Sequence, residues 1–151
     1  RLKVEVTIDE PIFSPVENRR ILHGFAEKMD VQIPVYSLQE ITTEKLRALL
    51  QSKERLHERG WGASRVCRDY YDLWNLMQIP AVKTPDLLNV LAKKCVVRGV
   101  SFTSPEEFVS EDLLTVAKEE WTQQLLPFVP GAPLAAELLP QVKSLIFSAW
   151  E

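Results

Sequence analysis

Hydrophobic and polar residues alternate strictly over 2–8: Leu2, Val4, Val6 and Ile8 fall on one face, Lys3, Glu5 and Thr7 on the other. That period of two is the signature of a half-buried strand. Pro11 and Pro15 bracket a loop after it. The pattern then predicts a second short strand over 20–25 and a third over 31–36, which Pro34 assigns to a sheet edge. At Ser37 the period lengthens. Ser37 and Glu40 have the spacing of a capping box, and a helix is predicted over 38–53 with Leu38, Ile41, Leu46, Leu49 and Leu50 as its apolar stripe. The stretch 54–64, with Gly60 and Gly62 around Trp61, reads as a connection.

Further helices are predicted over 65–78, ending before Pro80, and over 84–97, opened by Thr84, Pro85 and Asp86. A short helix from Ser104, a longer one over 110–126 and a last one over 134–150 follow, and Pro140 either kinks or divides the last. The expected fold is α+β and mostly α: two or three N-terminal strands, then a bundle of five or six helices, with units over 1–36 and 37–151. A sheet this small with one polar face rarely stands alone, so it packs on the helices or has partners upstream of Arg1. A chain opening at Arg1, inside a patterned strand, is read as part of a longer protein.

Composition narrows the class. The 151 residues are 46% hydrophobic and 26% charged, with 10 Pro, 5 Gly and a net charge of −3, which excludes wholesale disorder, collagen and coiled-coil arrays. A chain of this size buries roughly 68–70% of its unfolded surface, enough for a core without staples. Cys67 and Cys95 lack metal-ligand spacing and only two histidines are present, so the chain reads as reduced and cytoplasmic. Neither a run of about 18 apolar residues nor a signal segment occurs. The acidic balance argues against unspecific nucleic-acid binding.

Three clusters could carry chemistry. Lys3 and Glu5 point the same way from the first strand, as a metal-phosphate contact or an ordinary charge pair. Glu44 and Lys45 are adjacent on a helix and diverge by roughly 100°, so one point cannot be served by both. Asp69 and Asp72 share a helical face, beside an apolar stripe of Tyr71, Leu73, Trp74 and Leu76, and Arg68 stands at the i,i+4 distance for a salt bridge to Asp72. Aspartate is a poor helix-interior residue, so the pair is either first-turn dipole compensation or a site. His57 within 53–59 reads as a solvated face or an RNA or nucleotide contact, and the four tryptophans as core or rim packing. Gly-rich phosphate loops, GxSxG and HExxH are absent.

In order, the strand Leu2-Lys3-Val4-Glu5-Val6, the segment Pro34-Val35-Tyr36-Ser37-Leu38-Gln39-Glu40-Ile41 leading into Glu44-Lys45-Leu46-Arg47-Ala48-Leu49-Leu50, and Arg68-Asp69-Tyr70-Tyr71-Asp72-Leu73 resemble the AbiEii/AbiGii toxin family of nucleotidyltransferases, over about residues 1–77. The resemblance implies a minimal nucleotidyltransferase of the DNA polymerase β type, with a mixed sheet carrying three carboxylates and a helical C-terminal part. On that pattern Lys3 and Glu5 match a Lys-x-Asp/Glu strand, with Lys3 on the nucleotide and Glu5 as third metal carboxylate. Lys45 matches a helical lysine near the triphosphate, and Asp69 and Asp72 match a DxxD motif whose acid acts as base or organises the site.

The cofactors so implied are Mg²⁺ and an NTP. Two such ions about 3.5–4 Å apart clamp the attacking and leaving oxygens, a lysine stabilises the leaving pyrophosphate, and an aspartate takes the acceptor proton. The implied acceptor is tRNA, another RNA or a protein. The implied role is the toxin of an abortive-infection toxin–antitoxin pair, with no membrane and no stable protein partner. The family's Asp-x-Asp pair has no counterpart: Asp9-Glu10 follows the first strand. These residues alone are therefore expected to be inactive. The competing reading is a non-catalytic helical interaction or substrate-docking module, in which the carboxylates only tie helices together.

Overall fold

The computed structural model describes residues 6, 10–22, 24, 30–82 and 84–151. The strand expected over 2–8, with Lys3 and Glu5, lies outside them; Val6, the one described residue of that segment, is exposed. Two short strands, β1 (Glu17–Arg20) and β2 (Gln32–Val35), pair antiparallel with Glu17 opposite Val35 and Arg20 opposite Gln32. The expected strand over 20–25 is thus displaced to 17–20, and the Ile21 amide donates to the Val31 carbonyl at 3.0 Å to carry the pairing one step further. Pro34 stands opposite Asn18, on a ribbon largely open to solvent, where its missing donor is tolerated.

Helix α1 (Leu38–Arg59) is the axis of the molecule. The Ser37 hydroxyl accepts from the Glu40 amide at 3.2 Å, which makes half of the expected capping box. The other half is absent because the Glu40 carboxylate accepts instead from the Phe13 and Ser14 amides, at 3.3 and 3.0 Å. α1 also runs six residues past its expected end. Leu56 continues the stripe of Leu49 and Leu50 onto the core, Lys53 is tied to Glu107 at 2.9 Å, and the alternating charges of 53–59 are compatible with a helix. Gly60, at φ 74°, ends it with its amide on the Leu56 carbonyl, a left-handed closure that favours glycine.

Helix α2 (Val66–Leu76) buries Val66, Cys67, Tyr70 and Leu73, so the inward stripe is turned from the expected one: Tyr70 is fully inside, its hydroxyl donating to the Phe108 carbonyl at 2.7 Å, while Tyr71 and Trp74 stay at the rim. α3 (Leu87–Val97) starts later than expected, because Pro85 and Asp86 form a turn in which the Leu87 amide donates to the Thr84 carbonyl. A 3-10 turn covers Pro105–Val109. α4 (Glu111–Glu120) runs into a π-helical turn, Trp121–Leu125, and α5 (Ala135–Phe147) follows undivided, with Pro140 on its exposed side.

α1 packs between α2 and α3, and α2 in turn packs against α4 and α5. The core gathers Leu46, Leu49 and Leu50 from α1, Tyr70 and Leu73 from α2, Leu91 and Cys95 from α3, Leu113 and Ala117 from α4, and Leu138, Val142 and Ile146 from α5. Each large side chain so buried contributes about 1.5–3 kcal/mol. Among the described residues no helix is long and apolar enough to cross a membrane.

Candidate functional site

The helix–helix contacts give α1 two charged faces. On the face toward α2, Lys45 Nζ donates to Asp69 Oδ1 at 2.9 Å and lies 2.7 Å from Asp72 Oδ2. The three-residue spacing of the aspartates brings both to one ammonium, so three of the expected site residues converge. The Asp69 side chain is 13% exposed and that of Asp72 42%. The expected Arg68–Asp72 bridge is replaced: Arg68 Nε donates to the Gln124 carbonyl at 2.8 Å and its guanidinium stands 4.6 Å over the Phe128 ring. Lys3 and Glu5 cannot be placed against this site because they lie outside the described residues.

Electrostatics distinguishes the members of the triad. Burial alone would lower the Lys45 pKa, but the hydrogen bonds to Asp72 and Asp69 outweigh it and hold the ammonium above its ordinary range. Burial pushes the Asp69 carboxyl up, more than Lys45 pulls it down, and the negative charges of Asp72 and Glu120 add to the rise. Two carboxylates facing one ammonium leave one negative charge uncompensated, which suits a proton acceptor or the anchoring of a further cation.

On the face toward α3 the arrangement is closed. Lys94, 2% exposed, pairs with Glu40, 1% exposed, at 2.6 Å and with Glu44. Glu44 also pairs with Arg47, Arg47 with Glu10 at 3.0 Å, and Arg98 with Glu10 at 2.9 Å. Among the described residues three carboxylates, Glu10, Glu40 and Glu44, thus meet Arg47, Lys94 and Arg98. Burial would raise the Glu44 pKa, yet the hydrogen bonds and charges of Lys94 and Arg47 bring it below the ordinary carboxylate value. Glu40 and Glu44 turn to this cluster while Lys45 turns away, as the 100° divergence of neighbours requires.

Sequence reasoning missed this cluster. Its signal was present, since Glu40, Glu44 and Arg47 interrupt the apolar positions of α1, and Lys94 falls in the stripe of Leu91 and Cys95. His57 lines a groove of about 470 Å³ with Lys53, Glu54, Glu58 and Glu107, and Lys53 is already paired with Glu107. Cys67 and Cys95 are free and buried, and burial pushes both thiols up to about 11, so both are neutral. Trp121 and Trp150 pack in or against the core, whereas Trp61 is exposed.

Among the described residues no group of three or more His, Cys, Asp or Glu could hold a metal ion. Glu5, the metal carboxylate the resemblance implies, lies outside the described residues, and between Asp69 and Asp72 the Lys45 ammonium takes the place a cation would occupy. The model of the family described as "Nucleotidyl transferase AbiEii toxin, Type IV TA system" matches residues 1–146. No curated protein and no solved structure matches the chain.

Proposed function

The chain belongs to the AbiEii family of nucleotidyl transferase toxins, and we propose that it is part of a protein that moves a nucleoside monophosphate from an NTP to a hydroxyl of an acceptor, tRNA, another RNA or a protein, with Lys45, Asp69 and Asp72 at the reacting groups. The convergence of one lysine on two carboxylates, with one negative charge to spare, is the observation that carries this reading. In it the acceptor oxygen bonds to the α-phosphorus, the bond to pyrophosphate breaks, and the acceptor proton passes to Asp69. A carboxyl pKa raised by burial suits Asp69 to accept that proton. Asp72 holds Lys45, whose charge stands beside the phosphates and stabilises the leaving group.

In this reading residues 1–36 belong to the nucleotidyltransferase sheet and 37–151 form the helical domain. Glu5 is a metal carboxylate and Lys3 a nucleotide contact of that sheet, and the protein works in the cytoplasm without a stable protein partner. No step above is assigned to a metal ion. The 151 residues alone are inactive, because no Asp-x-Asp pair stands in them.

The test uses the full-length protein. Asp69→Asn and Asp72→Asn should each lower transfer of labelled nucleotide by about 10²-fold or more while circular dichroism and Tm stay near wild type. Wild-type transfer in both would remove the assignment and leave the triad as a tie between α1 and α2, the behaviour of a docking module. Labelled transfer by residues 1–151 alone would refute the predicted inactivity.

A further inference from the structure

Helix α2 carries both aspartates, yet nothing local caps it. Arg65, at its N-cap position, has φ 66°, a left-handed conformation unusual without glycine, and its side chain makes no cap hydrogen bond. The acceptors come from another helix. Glu120, the last residue of α4, accepts from the Arg65 amide through Oε1 at 3.0 Å and from the Cys67 amide through Oε2 at 3.2 Å. A carboxylate at a helix N-terminus also complements the helix dipole.

Glu120 is itself held. Gln124 Nε2, in the π-helical turn that follows, donates to Glu120 Oε1 at 3.3 Å, and the Gln124 carbonyl accepts from Arg68. The turn is closed by the Leu126 amide on the Trp121 carbonyl, and π turns of this kind recur at functional sites. The first turn of α2 is therefore gripped at Arg65, Cys67 and Arg68, and Asp69 is the next residue.

We propose that Glu120 is a positioning residue for nucleotidyl transfer: it caps α2 from α4 and thereby fixes Asp69 against Lys45. The inference rests on the function proposed above. Three groups bear on Asp69, namely Lys45 from α1, Asp72 from α2 itself and Glu120 from α4. The neighbouring Cys67 thiol, pushed up to about 11 by burial and the Glu120 charge, is neutral. Glu120 thus adds negative charge to the base it positions, which raises the pH at which Asp69 ionises.

Two variants of the full-length protein separate the effects. Glu120→Ala removes the cap, and kcat should fall about tenfold or more with KM for the NTP within about twofold, since small misplacements of a reacting group have effects of this order. Faster hydrogen exchange at the Arg65 and Cys67 amides should accompany it. Glu120→Gln keeps the size and one acceptor oxygen but loses the charge, so the acid limb of the pH–rate profile should move to lower pH in a folded protein. Wild-type kcat in Glu120→Ala, or an unmoved acid limb in Glu120→Gln, overturns the proposal. Asp69→Asn, assayed alongside, distinguishes the two failures: if it is active, the proposed function falls; if it is inactive while both Glu120 variants behave as wild type, only the role of Glu120 falls.

Discussion

Two charged clusters flank α1, and they differ in balance and in burial. Toward α3, Glu10, Glu40 and Glu44 meet Arg47, Lys94 and Arg98, with Lys94 and Glu40 out of water. Toward α2, Asp69 and Asp72 share Lys45, and Asp72 stays open to solvent. A network centred on a buried pair holds parts of a chain together, and here it clasps residues 10–14 to α1 and α3. A half-open one, with two carboxylates on one ammonium, is the one proposed for the reaction. Adjacent residues of one helix, Glu44 and Lys45, serve the two purposes.

The widest separation should come from removing each lysine. Lys94→Met leaves Glu40 buried without its cation, with Glu44 still on Arg47, and breaking a buried pair in this way costs about 3–5 kcal/mol. For a domain of this size that is a Tm lower by about 6–20 °C, measurable by thermal or denaturant unfolding. Lys45→Met leaves the half-exposed Asp72 and the mostly buried Asp69, whose raised pKa lets it take up a proton instead of staying charged, and should lower stability by less, about 1–3 kcal/mol, while lowering nucleotidyl transfer by about 10²-fold. The reverse outcome, with Lys45→Met unfolding the protein and Lys94→Met harmless, would erase the distinction between the clusters.

The cluster of Lys45, Asp69 and Asp72 was the more legible of the two, for a physical reason. Its parts are local patterns: three-residue spacing puts Asp69 and Asp72 on one face, and the divergence of neighbours separates Lys45 from Glu44. The buried cluster joins Glu10, α1 and α3 over separations set by helix packing, which no window of sequence contains. Glu120 was hidden for the same reason, since a cap supplied from α4 leaves no signal beside Arg65. The extent of α1 was obscured by reading the charged run 53–59 as solvated, although Leu56 stays in register with the core stripe. Helix order and the strand at β2 were visible in periodicity, whereas β1 fell short of its expected place and the inward turn of Tyr70 depended on its hydroxyl finding the Phe108 carbonyl.

Acid titration should give the two clusters opposite signs. Glu44 has its folded pKa below the ordinary 4.5, so its contribution is present above that value and is lost as pH falls through the folded pKa. Asp69 has its folded pKa above the ordinary 3.8, so the folded state holds the proton longer, and its contribution falls as pH rises from 3.8 through the raised value. Unfolding free energies of wild type relative to Glu44→Gln should therefore increase with pH across the carboxylate range, and relative to Asp69→Asn decrease. Parallel slopes would mean that both carboxylates sit in equivalent, fully paired surroundings.

Salt gives the smallest effect and a clean one. The Debye length falls from about 10 Å at 0.1 M to 3 Å at 1 M, which weakens pairs that water and ions can reach and leaves buried pairs nearly untouched. Asp72 is 42% exposed and Lys94 is 2% exposed. The stability difference between wild type and Lys45→Met should therefore shrink by a few tenths of a kcal/mol between 0.1 and 1 M NaCl, within the range of exposed ion pairs. The difference for Lys94→Met should hold constant over the same range. A salt-dependent Lys94→Met difference would mean that ions reach the Lys94–Glu40 pair, and the contrast in burial between the two clusters would then fall.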